Sequence, residues 1–294
     1  GVIPEIAARD HSVKIIGILK QLLKQTNHKL NDIDLIAYTA GPGLIGSLMI
    51  GETVAKTIAN VLNIELLPIN HLEGHILAPG LEEDGLEPPY LCLLVSGGHT
   101  QIIRCDGYGK YKIIGETIDD ACGEAFDKVG KLLNLEYPGG PKVSQLAENG
   151  DSHRFKFPRA MMKDKNLNFS FSGLKTAVLY ALEDLNEGDH ADVAASFQEA
   201  VIDALTTKLT WAVQDTKIHK LVCSGGVASN KLLRERLKQM AVNNNLEVSY
   251  PRMEFCTDNA AMIAYAGFIR KKFKLPTYST NYARPRWPLG ELYD

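Results

Sequence analysis

Apolar residues recur at helical spacing near the start of the chain and predict a first helix over residues 6–24. Short apolar runs follow, too brief for helices, and read as buried strands at 34–38, 64–69, 90–95 and 220–223. Residues 101–104 and 248–251 add two more strands. Helical patterning returns up to residue 62, over a long amphipathic stretch at 194–213, through residue 237, and after residue 256. The segment Asn168-Phe169-Ser170-Phe171-Ser172-Gly173-Leu174-Lys175 reads as an edge strand entering a helix.

Glycine-rich turns punctuate this pattern. Thr39-Ala40-Gly41-Pro42-Gly43-Leu44-Ile45-Gly46-Ser47 and Ser224-Gly225-Gly226-Val227-Ala228-Ser229-Asn230 each carry a strand into a helix, where backbone N–H groups can meet an anion. Such glycines also let a helix pack tightly on a sheet. Ser96-Gly97-Gly98-His99-Thr100 forms a hairpin whose tip has no side chains to block a ligand, although a plain tight turn would look the same.

Two histidines, His71 and His75, stand one helical turn apart in Asn70-His71-Leu72-Glu73-Gly74-His75. That spacing lets both imidazoles reach one ion, while a capped or core-facing pair remains the plainer reading. The zinc-protease pattern H-E-x-x-H sets its acid beside the first His. Here Glu73 lies midway and points about 200° from His71 at about 100° per residue. A third ligand must come from elsewhere. Asp258 is the candidate, because a carboxylate at a helix start can project from it, although Thr257 or Asp258 could equally be the helix N-cap. In residues 119–129 the acids Asp119 and Asp120 suit the first turn of a helix, whereas Asp127 lies too deep to be explained by capping.

Composition narrows the field. With 294 residues, 45% hydrophobic and 23% charged, the chain has room for two lobes or two domains and the make-up of a soluble globular protein. No apolar run approaches the roughly 18 residues that span a bilayer. Five cysteines without a CxxC pair predict buried thiols in a reducing compartment. A net charge of −3 gives no global nucleic-acid footprint. The local basic run Arg270-Lys271-Lys272-Phe273-Lys274, with Arg284 and Arg286, is a candidate RNA patch or simply a solvated helix end.

Taken in order, these motifs and Thr257-Asp258-Asn259-Ala260-Ala261-Met262-Ile263-Ala264 resemble those of the tRNA threonylcarbamoyladenosine synthase (TsaD) family, in its bacterial and mitochondrial form. The resemblance covers nearly the whole chain. It implies an α/β, actin-like ATPase (sugar kinase/Hsp70-type) fold of two lobes with a nucleotide cleft between them. The acidic, Pro-rich stretch at 82–89 would join a first lobe, residues 1–88, to a second, residues 89–294, whose helix at 257–273 packs back toward the first. Family members begin with further strands, including a Glu-Thr-Ser-Cys-Asp-like signature, so the resemblance implies that the opening strands of the first lobe are missing here.

The implied activity is an acyl transfer, moving threonylcarbamoyl from threonylcarbamoyl-adenylate to N6 of adenosine 37 in tRNAs that read codons beginning with A. The implied metal ligands are His71, His75 and Asp258, for one divalent ion, iron foremost and zinc as the alternative. The implied substrate contacts are Leu94, Val95, Ser96, Gly97, Gly98, Asp127, Gly140 and Asn230. The implied partners are tRNA and the subunits TsaB and TsaE, in the cytoplasm and away from membranes. Other readings are a kinase of the same fold, a metallopeptidase, and a non-catalytic scaffold of the tRNA-modifying complex. The first needs a phosphoryl-transfer acid and magnesium, and the position of Glu73 opposes the second.

Overall fold

The computed structural model describes residues 3–82, 86–163, 165–276 and 282–292. The chain divides into two compact units, Gly1–Leu81 with Asn259–Asp294, and Glu82–Asp258. Glu83, Asp84 and Gly85, part of the junction read from sequence, lie outside the described residues.

Unit 1 is built on two parallel strands, β1 (Leu35–Gly41) and β2 (Glu65–Asn70), paired from Leu35↔Glu65 through Thr39↔Ile69. Parallel neighbours need a crossover, and α2 (Ile45–Leu62) supplies it. Helix α1 (Pro4–Thr26) opens with Pro at its first turn, where the missing N–H costs nothing, and buries none of its residues. Strand β2 leads directly into α3 (His71–Leu77). The late helix α10 (Ala260–Lys272) also belongs to this unit and packs on β1, β2 and α3. Its Gly267 makes that approach feasible, since a Cβ there would stand 2.7 Å from the Ala37 Cβ.

Unit 2 holds a five-stranded sheet in the order β5-β4-β3-β6-β7. The strands are β3 (Tyr90–Val95), β4 (Thr100–Gly107), β5 (Lys110–Glu116), β6 (Lys220–Ser224) and β7 (Glu247–Ser249). Strands β3, β4 and β5 form an antiparallel meander, while β3, β6 and β7 run parallel. The sheet is flanked by α4 (Cys122–Leu132), α5 (Gly139–Ala147), α6 (Ser172–Leu182), α7 (His190–Thr216), α8 (Lys231–Asn244) and the short α9 (Met253–Cys256). Leu91, Leu93, Val95, Phe126, Phe169, Phe171 and Phe197 meet in the core. All five cysteines are buried free thiols, and burial pushes each thiol pKa up, so none is poised as a thiolate.

Several expectations need correcting. Residues 168–171 form no strand, only a single bridge from Phe169 to Thr117, before α6 begins at Ser172. Helix α5 carries Pro141 in its first turn, which tolerates Pro because its N–H groups have no partner within the helix. Strand β5 was not foreseen. Its outer face is rich in lysine and half exposed, so it lacks a continuous apolar run. Among the described residues no helix is long and apolar enough to cross a membrane.

Candidate functional site

Helix α3 starts where Asn70, fully buried, accepts a hydrogen bond from the Leu72 N–H (2.9 Å) and donates one to the Trp287 carbonyl (3.0 Å). This cap sets the rotation at which the next residue leaves the strand, and hence the face on which His71 and His75 sit. The two imidazole centroids are 4.8 Å apart with rings nearly perpendicular (83°), and His75 is buried. Gly74 lets the helix press against α10, since a Cβ at that position would come within 2.8 Å of Ile263 Cδ1.

At the start of α10 the cap is neither Thr257 nor Asp258. Asn259 fills that role, its Oδ1 accepting from the Met262 N–H at 2.8 Å. Asp258 is therefore not needed as the cap. One of its carboxylate oxygens and one ring nitrogen from each of His71 and His75 lie within 4.8 Å of one another. Metal–ligand bonds of about 2.0–2.2 Å place two ligands of one ion no more than about 4.4 Å apart, so the trio stands within a few tenths of an ångström of a closed set. Two imidazoles and a carboxylate suit a divalent transition metal, iron or zinc, better than magnesium. The donor set and its spacing thus fit a metal centre.

Glu73 points away from this trio. Its buried carboxylate accepts from the Arg270 guanidinium at 2.8 and 3.0 Å. It cannot also serve as a base on the opposite face of the helix. Arg270 leaves the expected basic patch for the same reason. Of the remaining cations, Lys271 pairs with Glu65 (2.6 Å), Lys272 lies over the rings of Phe268 and Phe273, and Arg284 stacks on Trp287.

A second constellation lies within unit 2, at the carboxyl ends of β3 and β6. The sheet changes direction of winding between these neighbours, and open α/β sheets bind ligands at such switch points. From β3 the chain enters residues 96–99, closed by Ser96 N–H donating to the His99 carbonyl (2.8 Å), with His99 N–H donating back to Ser96 Oγ (3.1 Å). Gly97 and Gly98 are exposed, and a Cβ on either would meet nothing within 4 Å. Leu94 and Val95 are fully buried, so only their backbones could serve a ligand. From β6 the chain turns at Gly225 (φ +93°), where a Cβ would lie 2.4 Å from the Val95 carbonyl oxygen. Gly123 on α4 comes nearly as close, 2.6 Å for the same test, to the Ser96 carbonyl oxygen.

Asp127 does cap a helix, contrary to expectation. The helix is α5 rather than its own, and Asp127 Oδ1 accepts from the N–H groups of Gly139 (2.8 Å) and Gly140 (3.1 Å). Asn230 caps α8 through Oδ1 to the Leu233 N–H (3.0 Å), while its amide donates to Ser144 Oγ (2.8 Å) and Gln198 Oε1 (2.7 Å). The expected substrate residues thus share one rim of the sheet, with Asp127 and Asn230 also holding that rim together.

Asp119 was read as a first-turn acid, but α4 begins only at Cys122. Asp119 instead gathers the hydroxyls of Ser170 (2.5 Å) and Ser172 (2.8 Å) and the Phe171 N–H (2.8 Å). Desolvation is the largest influence on its pKa and pushes it up. The hydrogen bonds from Ser170, Phe171 and Ser172 together outweigh this and hold the carboxyl below its ordinary value. The stretch that precedes this segment is held by Lys208, fully buried on α7, whose ammonium donates to the carbonyls of Met161 (2.8 Å) and Asn166 (2.6 Å). The sequence signal for Lys208 was its place on the apolar face of a long helix.

Residues 1–265 match the family model of TsaD, tRNA N6-adenosine threonylcarbamoyltransferase. The chain belongs to the TsaD family. Among solved structures it is similar to full-length HypF in its phosphate- and nucleotide-bound form, with a TM-score of 0.65 and 13% identity over 90% of this chain. It is also similar to HypF of T. kodakarensis, with a TM-score of 0.68 and 16% identity over 89% of this chain. The chain spans less than half the length of these two, 42% and 44%. Component A of (R)-2-hydroxyglutaryl-CoA dehydratase from Acidaminococcus fermentans is similar at a TM-score of 0.50 and 13% identity, covering 88% of this chain and 83% of its own. At these identities the likeness concerns the fold, and it supports the two-lobed, actin-like architecture for this TsaD-family chain.

Proposed function

We propose that this TsaD-family chain is an acyltransferase that moves threonylcarbamoyl from threonylcarbamoyl-adenylate to N6 of adenosine 37 in tRNA, using one divalent metal. The observation that carries this reading is the convergence of His71, His75 and Asp258, drawn from separate stretches of sequence, in a chain whose family is defined by that transfer. Those three residues would hold the ion, iron foremost and zinc as the alternative. A bound divalent ion supplies Lewis acidity and a fixed positive charge for an acyl or carboxylate oxygen.

The chain's own groups do the rest. Gly97, Gly98, Gly225 and Gly226 bring backbone N–H groups to the adenylate without side chains in the way. Asp127 fixes the first turn of α5, so that Gly140 stays at the rim. Asn230 contributes as the joint between α5, α7 and α8. Holding the adenylate in one orientation turns attack by the adenine amine into a positioned reaction. In this reading tRNA binds together with the subunits TsaB and TsaE, in the cytoplasm.

The test is to incubate the chain with those subunits, synthetic threonylcarbamoyl-adenylate and unmodified tRNA, then analyse the nucleosides. Threonylcarbamoyladenosine should form with the native chain and fall to background with His71→Ala. Equal product from both would defeat the proposal.

A further inference from the structure

The Glu73–Arg270 pair has no place in the proposed metal set or in substrate binding, yet both members are essentially withdrawn from water, at 0% and 2% exposure. Taking two charges out of solvent is costly, and apolar residues of equal volume often stabilise as well or better. A buried ion pair therefore asks what it specifies. Arg270 Nη1 meets both carboxylate oxygens of Glu73, and its Nη2 donates to the Pro276 carbonyl at 2.6 Å, so the guanidinium is fixed on two sides.

The pair joins the two elements that must agree for the trio to close. Glu73 sits two residues from each histidine on α3, a helix of seven residues that is too short to hold its own orientation. Arg270 sits on α10, whose first cap, Asn259, directly follows Asp258. Apolar contact at Gly74 presses the helices together but has no direction, so α3 could still turn about its axis. A planar guanidinium meeting a carboxylate does have direction and resists that turn.

We infer that Glu73 and Arg270 are positioning residues, whose buried ion pair sets the rotation of α3 so that His71 and His75 face Asp258. This rests on the metal reading above.

The test uses the whole 294-residue chain, with Co(II) as the probe followed by its visible absorption, and melting temperature read in parallel. Glu73→Gln and Arg270→Lys should each weaken Co(II) binding and alter its ligand-field spectrum, by about 10–100-fold in affinity if the pair acts as strongly as other outer partners of metal ligands. The double variant Glu73→Leu, Arg270→Met removes both charges. It should regain the melting temperature while Co(II) binding stays weakened at least tenfold with an altered spectrum, because packing is restored and direction is not. Recovery of both stability and the native spectrum would overturn the inference, since the pair would then serve the fold alone. Should the double variant not regain stability, Arg270→Lys decides, and native Co(II) affinity and spectrum there would overturn it. Wild-type chain that takes up no Co(II), or His71→Ala binding it as tightly, would instead fell the metal reading and the inference with it.

Discussion

The metal-type trio and the glycine rim are built from opposite materials. His71, His75 and Asp258 present side chains beside an Asn cap at each of two helix starts and a buried ion pair. The rim presents main chain. Gly97 and Gly98 leave open space, whereas Gly123 and Gly225 are held within a Cβ's reach of carbonyl oxygens. Substitution in the first region should remove chemistry and spare the backbone, and in the second it should disturb the backbone first. Variants can separate the two.

The largest effect on stability should come from the rim. Gly225→Ala asks for a side chain at positive φ and against the Val95 carbonyl, which together should cost about 3 kcal/mol, read as a lower urea midpoint. A change under about 0.5 kcal/mol would mean that the turn relaxes freely. Next comes Asp127→Ala, which leaves the Gly139 and Gly140 N–H groups without their acceptor and should cost about 1 kcal/mol, as at other N-caps. Asp127→Asn, which keeps an acceptor oxygen, should recover most of that loss.

A smaller effect should appear only in acid. The folded-state pKa of Asp119 is lowered, so its contribution is complete above the unfolded value of about 3.9 and is lost as pH falls through the folded one. Asp119→Asn should flatten the fall in melting temperature below about pH 4, and an unchanged acid limb would contradict this assignment. The smallest effect is expected at Lys271, next to Arg270 on the same helix. Its pair with Glu65 is about half exposed, at 51% and 44%, so Lys271→Ala should change stability by no more than about 0.5 kcal/mol. A loss well above about 1 kcal/mol would erase the distinction drawn between buried and surface pairs.

These contrasts also mark what the sequence could and could not disclose. Short apolar runs announced β3 and β6 almost to the residue, because strands buried on both faces need no alternation. Spacing brought out His71 and His75, since helical geometry alone places them together. Arg270 was read as part of a surface run because its neighbours in sequence are lysines. Its neighbours in space were legible in the period, for Met262, Ile263, Ala266, Ile269 and Arg270 form one buried stripe, and a cation there demands a counter-charge. The cap made by Asp127 could not be read in the same way. Gly139 and Gly140 follow it by more than three helical turns of chain, and nothing local announces that the chain returns.

The central proposal is that His71, His75 and Asp258 form one metal site in this TsaD-family chain. Elemental analysis of the purified chain beside a His71→Ala, His75→Ala double variant tests it most directly. The account predicts one transition-metal ion per native chain and almost none in the variant, because a single remaining carboxylate holds such an ion poorly. The same stoichiometry in both proteins would contradict it.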